Sequence, residues 1–322
     1  MFTRQELEAA QQLVYRHMSP TPQIEWPQLA GETGARVVVK HENHAPTGAF
    51  KVRGGVTFLD WVKRTHPEAR GIITATRGNH GQSQARAARA LGLEAKVYVP
   101  HGNAVEKNTA MRAYGADLVE FGQDFDEARL EAMRIAEAGD YIPVPPFHRE
   151  LVRGVSTYGY ELFTAHPDLD TVYVPIGCGS GICGVIAARD ALGLDCEVVG
   201  VVSTEAAGAK LSVEAGKLVE TDAAATFADG MAVRVPVQAA LDIYARKAAR
   251  IVAVTEAQIA EAIRLYFRTI HNAAEGAGAA GLAALLGEKD RQQGRKVGLI
   301  LSGGNIDTDW FRTVLAGQVP QI

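Results

Sequence analysis

Short runs rich in β-branched residues alternate along this chain with longer segments of helical periodicity, and that alternation restricts the fold more than any other feature. The clearest runs are 36–40, 71–74, 95–99, 117–121, 171–176, 197–202, 251–254 and 296–301. Helical patterns fall at 82–91, 125–138, 182–192, 256–270 and 278–286. A strand, a crossover helix and a second parallel strand form the unit such a pattern builds, so an α/β fold is expected. Eight runs are too many for one small sheet with short crossovers. The expectation is therefore two lobes with parallel-type sheets flanked by helices, and a cleft between them of the kind that holds small molecules. The prolines at Pro143, Pro145 and Pro146 mark where the chain would return from one lobe to the other.

A chain of 322 residues with 47% hydrophobic and 22% charged residues has enough apolar material for sizeable buried cores. Its net charge of −4, with no long run of lysine and arginine, speaks against nucleic acid as a partner. The first 18 residues are amphipathic and carry Glu6, Glu8 and Arg16, unlike the apolar core of a signal peptide. No apolar stretch reaches the length needed to span a membrane, so a membrane is not an expected partner. Three cysteines, Cys178, Cys183 and Cys196, suit a reducing compartment better than a disulfide framework. A cytoplasmic location is expected.

Four segments carry the chemistry. Residues 46–54 read Pro-Thr-Gly-Ala-Phe-Lys-Val-Arg-Gly, and place Lys51 directly behind the aromatic ring of Phe50. A lysine fixed by a glycine-punctuated loop beside an apolar neighbour can become a nucleophile and form a Schiff base. After the run 171–176 come Gly177, Cys178, Gly179, Ser180 and Gly181 at the start of a helical pattern, a cradle of backbone amides suited to a phosphate. Gly179, Gly181 and Gly184 also satisfy a dinucleotide fingerprint, with Glu205 about where a ribose-binding acid would stand. That second reading leaves Lys51 without a role. Thr76, Arg77, Gly78, Asn79 and His80 form another strand-to-helix loop, whose glycine permits close approach and whose amides suit a carboxylate. Finally, Ser302 precedes Gly303, Gly304 and Asn305 at the end of the last run.

In this order, the segments resemble the pyridoxal-phosphate enzymes of the tryptophan synthase β-subunit fold (fold type II), specifically the serine/threonine dehydratase and serine racemase branch. The resemblance spans nearly the whole chain. It implies pyridoxal 5′-phosphate in an interdomain cleft, a large cofactor-binding domain from 1–62 and 149–322, and a small domain from 63–148. Lys51 would carry the cofactor, Phe50 would pack on its ring, and Asn79 would bond the ring hydroxyl oxygen. Gly177, Cys178, Gly179, Ser180 and Gly181 would hold the phosphate, and Ser302 would face the pyridine nitrogen. Thr76, Arg77, Gly78 and His80 would receive the substrate carboxylate. A neutral hydroxyl at the ring nitrogen weakens the ring as an electron sink, which favours loss of a β-substituent. The implied reaction is dehydration and deamination of a β-hydroxy amino acid to a 2-oxo acid and ammonia, by a homodimer. Threonine, serine, 3-hydroxyaspartate and phenylserine all qualify as substrates.

The chain departs from that pattern at several places. Arg77 stands where the racemase branch has a proton-exchanging serine, and a guanidinium is too basic for that work. Val202 and Gly208 occupy the positions of two cation ligands and supply no side-chain oxygen, so no metal site is expected unless Glu205 is displaced into that role. The short stretch after Ser302 is not expected to hold the regulatory domain of biosynthetic threonine dehydratases. Within the same fold, a racemase or a β-replacement enzyme is the alternative, although the β-replacement branch carries a serine where this chain has Phe50. From other classes stand a nicotinamide-dependent oxidoreductase and a non-catalytic ligand-binding protein.

Overall fold

A computed structural model describes residues 1–137 and 139–322. The strands are β1 (Gln23–Glu25), β2 (Arg36–His41), β3 (Gly71–Ala75), β4 (Glu94–Val99) and β5 (Asp117–Glu120). They continue with β6 (Tyr141–Pro143), β7 (Thr171–Pro175), β8 (Glu197–Ser203), β9 (Arg250–Val254) and β10 (Lys296–Leu301). Two sheets result. One has the order β1-β2-β10-β7-β8-β9, and the other β5-β4-β3-β6. Every neighbouring pair is parallel except β1 with β2. The fold is thus α/β, as expected. All eight anticipated runs are strands, and β1 and β6 are additional ones of three residues each. Pro143 ends β6 at the sheet edge, where a missing amide donor is tolerated.

Both faces of the larger sheet are buried, and successive residues alternate between them. Val37, Val39, Val199, Val201, Leu299 and Leu301 pack with the helices Glu256–Ile270 and Gly276–Gly287. Val38, Val172, Val174, Val198 and Ile300 face the helices Arg149–Ala165 and Ser180–Leu192. That is why these strands read as continuous apolar runs rather than alternating ones. On the smaller sheet, Ile72 and Ala95 meet the helices Lys51–Thr65 and Asn79–Leu91, whereas Ile73 and Tyr98 meet the helix Phe125–Ala136. The expected end of that last helix, Ala138, lies outside the described residues.

The helix Lys51–Thr65 joins the two halves of the molecule. Its apolar face belongs to the core of the smaller sheet, yet it also crosses the helix Arg149–Ala165 at close range. A Cβ on Gly154 would stand 2.2 Å from the Arg53 carbonyl oxygen, so only glycine permits the crossing. At the same crossing the Arg53 guanidinium is fully buried between two carboxylates. It donates to Glu42 at 2.8 and 3.0 Å and to Glu161 at 2.6 and 3.0 Å, and Lys40 also donates to Glu161. Two cations and two anions neutralise one another beneath the segment that carries Lys51.

Candidate active site

The functional segments leave the carboxyl ends of parallel strands, where ligands bind in open α/β sheets. The loop after β2 leads to Lys51, that after β3 to Asn79, that after β7 to Gly177, and that after β10 to Ser302. Backbone contacts bring them together. The Phe50 amide donates to the Ser302 carbonyl at 3.0 Å, and Ala49 forms an isolated antiparallel bridge with Gly303. Asn305 then ties two further segments to this corner, its amide donating to Thr47 O at 2.8 Å and to Asn79 Oδ1 at 2.7 Å.

The glycine loop approaches from the other side. Gly179 has φ +95°, and a Cβ there would lie 2.5 Å from Ala240. The helix following it starts at Ser180, so its first-turn amides lack intrahelical partners and could serve an anion. A Cβ on Gly181 would be 3.7 Å from the tip of Phe50. The Phe50 ring therefore lies directly against the cradle, with Tyr158 edge-on at 5.8 Å and donating to the Gly181 carbonyl at 3.1 Å.

Lys51 opens its helix, with Phe50 as the capping residue. It is half-buried, and His80, Cys178 and Glu275 feel its charge. His80 is pushed down to about 3, first by desolvation and then by Lys51, so its imidazole is neutral near neutral pH. The Cys178 thiol is raised by burial, with Lys51 opposing that rise. Asn79 and His80 lie in the first helical turn rather than in the preceding loop, three residues before the expected helix start at Gln82. Thr76 accepts from the Gly78 amide at 3.1 Å and shapes the turn. Arg77 is exposed, while Thr76 and Gly78 on either side are buried. Val202 is buried among apolar side chains, Gly208 opens a short helix, and Glu205 is exposed.

The sequence reading missed a second set of residues. Asn79 Nδ2 donates to both oxygens of Glu275 at 2.9 Å. Lys107 reaches across from the helix Val105–Ala113 to pair with Asp229, and lies 3.5 Å from Asp307. Burial opposes its charge, but Asp229, Asp307 and Glu275 outweigh that and raise its pKa. Glu275 is pushed up to about 7, first by burial and then by Asp229, against the pull of Asn79, Lys107 and Lys51. An unfolded glutamate loses its proton well below that value. Between the two the folded state binds more protons, so this contribution to stability is present at acid pH and fades as pH rises toward about 7. Glu275→Gln, which cannot ionise, should gain on the order of 1 to 3 kcal/mol relative to wild type between about pH 5 and pH 8. Denaturant melts at both pH values check this; parallel pH profiles for the two proteins would contradict it.

A lysine beside a glycine-rich loop, with an aromatic ring against that loop and a serine turn bonded to the same segment, is an arrangement suited to a phosphorylated carbonyl cofactor. The family model for pyridoxal-phosphate dependent enzymes matches residues 14–303, and the chain belongs to that family. It is 32% identical over 316 residues to an L-threonine ammonia-lyase of Thermotoga maritima, covering 98% of this chain and 78% of the relative. With an L-threo-3-hydroxyaspartate ammonia-lyase of a Pseudomonas species it shares 31% identity over 298 residues, 92% of this chain and 93% of the relative. The processed form of threonine deaminase isoform 2 from Solanum lycopersicum superimposes with a TM-score of 0.90 at 28% identity, covering 98% of this chain and 95% of that one. The cofactor is pyridoxal 5′-phosphate, and the family match sets the dinucleotide reading aside. The glycine cradle against Phe50 and the adjacent Lys51 fit that group. Among the described residues, no helix is long and apolar enough to cross a membrane.

Proposed function

We propose that the protein eliminates the β-hydroxyl of a β-hydroxy amino acid such as threonine, serine, 3-hydroxyaspartate or phenylserine as water and, with that water returned on hydrolysis, releases ammonia, giving a 2-oxo acid. What supports this reading is that hydrogen bonds and close contacts bring the segments of Phe50 and Lys51, Asn79, the glycine cradle and Ser302 together at the carboxyl ends of the parallel strands. Bound there, pyridoxal phosphate supplies an aldehyde carbon for amines and a conjugated ring that withdraws electrons from the substrate Cα. Gly177, Cys178, Gly179, Ser180 and Gly181 hold its phosphate on backbone amides, and Phe50 presents a flat apolar face to its ring. Asn79 orients the ring hydroxyl. Ser302, buried at the end of β10, offers the ring nitrogen a neutral hydroxyl.

Thr76, Gly78 and His80 receive the substrate carboxylate at the start of the helix Asn79–Leu91, whose dipole favours an anion there. The Lys51 amine takes the proton from Cα. Loss of the β-hydroxyl as water leaves an enamine, and its hydrolysis returns that water and releases ammonia. Arg77 stands at the rim of the carboxylate site. An exposed guanidinium contributes less than about 1 kcal/mol, so Arg77→Ala should change kcat/KM by less than about fivefold. A much larger rise in KM for 3-hydroxyaspartate alone would instead make Arg77 the reader of a second carboxylate.

The lobes we propose are 1–62 with 149–322, and 63–148. A cytoplasmic homodimer is proposed with them; the three free cysteines suit a reducing compartment, and light scattering of the purified protein tests the dimer. The activity is tested with the four amino acids in both enantiomeric series. Equal yields of 2-oxo acid and ammonia without inverted amino acid are expected. Inversion without 2-oxo acid would make the protein a racemase.

A further inference from the structure

Lys107, Asp229, Glu275 and Asp307 meet beside the cleft, and the reaction proposed above uses none of them. Three carboxylates lie near one ammonium there, and that ammonium pairs with Asp229 and Asp307. Glu275 is only 4% exposed. Its backbone amide donates to the Gly303 carbonyl at 3.1 Å, and a Cβ on Gly303 would stand 2.4 Å from its Oε1. Its carboxyl is therefore wedged between the turn that follows Ser302 and the amide of Asn79, which donates to both its oxygens. Asn79 is the side chain assigned above to the ring hydroxyl, and Gly303 directly follows the serine assigned to the ring nitrogen.

We propose that Glu275 is a positioning residue that acts on the cofactor through Asn79. With a proton on its carboxyl it leaves the Asn79 amide free to donate to the ring hydroxyl oxygen. As a carboxylate it draws that amide to itself and places a negative charge beside the same oxygen. The inference rests on the cofactor placement proposed above.

The groups facing Glu275 decide which state prevails. Asn79 is a neutral donor, whereas Lys107 from the helix Val105–Ala113 and Lys51 from its own helix favour the carboxylate. Asp229, from the turn Asp229–Met231, opposes it, as does burial, and Asp307 holds part of the Lys107 charge. Burial and the surplus of negative charge favour the protonated form. Proton exchange at Glu275 is thus placed in the neutral range, where the cofactor's environment would change with it.

The test uses the holoenzyme without substrate and reads its visible absorption from about pH 5 to about pH 9. The wild-type spectrum should change through a transition in the neutral range. Glu275→Gln should keep the low-pH spectrum throughout, because its amide cannot ionise. Asp229→Asn removes one repelling charge and should shift the transition to lower pH; it decides the matter if the glutamine variant does not fold. A merely structural Glu275 would alter thermal stability or cofactor content but leave the transition in place. A wild-type spectrum constant over this range would overturn the proposal, as would a transition unchanged in Glu275→Gln or in Asp229→Asn. The absence of any visible band would refute the cofactor placement itself, which a constant band would not.

Discussion

Lys51→Ala should abolish the visible absorption of bound cofactor and lower turnover by on the order of a thousand- to ten-thousandfold or more. The side chain is asked both to hold the cofactor and to move the Cα proton, and no neighbour can replace it. His80 is held neutral and low by its surroundings, and the raised pKa of Cys178 keeps its thiol protonated. The fold itself should persist, because alanine is a good first-turn helix residue and Lys51 is only half-buried. A melting curve close to wild type with turnover lost is the expected pair of results. Turnover within about tenfold of wild type would remove Lys51 from the chemistry.

The largest loss of stability should come from Arg53, two residues further along the same helix. Arg53→Ala leaves Glu42 and Glu161 buried with only Lys40 to answer two negative charges. Removing one partner from such a cluster costs about 3 to 5 kcal/mol, a large fraction of the stability of an ordinary domain. The cofactor should be lost along with it, because Arg53 pins the turn that presents Lys51 between the Ser302 turn and the helix Arg149–Ala165. Denaturant unfolding of the apoprotein measures this directly. A loss below about 1 kcal/mol would mean that the cluster contributes little beyond surface pairs.

Much of this architecture is legible from local pattern. Strands buried on both faces are apolar over several consecutive residues, so β2, β7, β8 and β10 stand out in the sequence. The three-residue strands β1 and β6 do not, because so short an edge leaves no periodicity to read. The helix Lys51–Thr65 is hidden for a different reason. Gly54 and Gly55 read as a turn, yet they serve close packing: a Cβ on Gly55 would stand 2.5 Å from Ser83 Oγ, and one on Gly54 2.7 Å from the Leu151 carbonyl. Tertiary contact overrides their poor helix propensity.

The same division runs through the site. Lys51, Asn79, the glycine cradle and Ser302 are visible because each sits in a short segment whose residue types already suit its task. Arg77 carries a charge that looks important in one dimension and lies exposed in three. Glu275 is the converse. Nothing in its flanking residues distinguishes it from a surface glutamate, and its partner Asn79 lies 196 positions away. Only the fold brings the two together and buries Glu275.

The most direct test of the central claim is borohydride reduction of the holoenzyme, followed by peptide mass mapping. The mass of the reduced cofactor is expected on the peptide containing Lys51, in stoichiometric yield, with loss of the visible band and of activity. Cofactor attached to another buried lysine, such as Lys40 or Lys107, or no adduct at all, would contradict it.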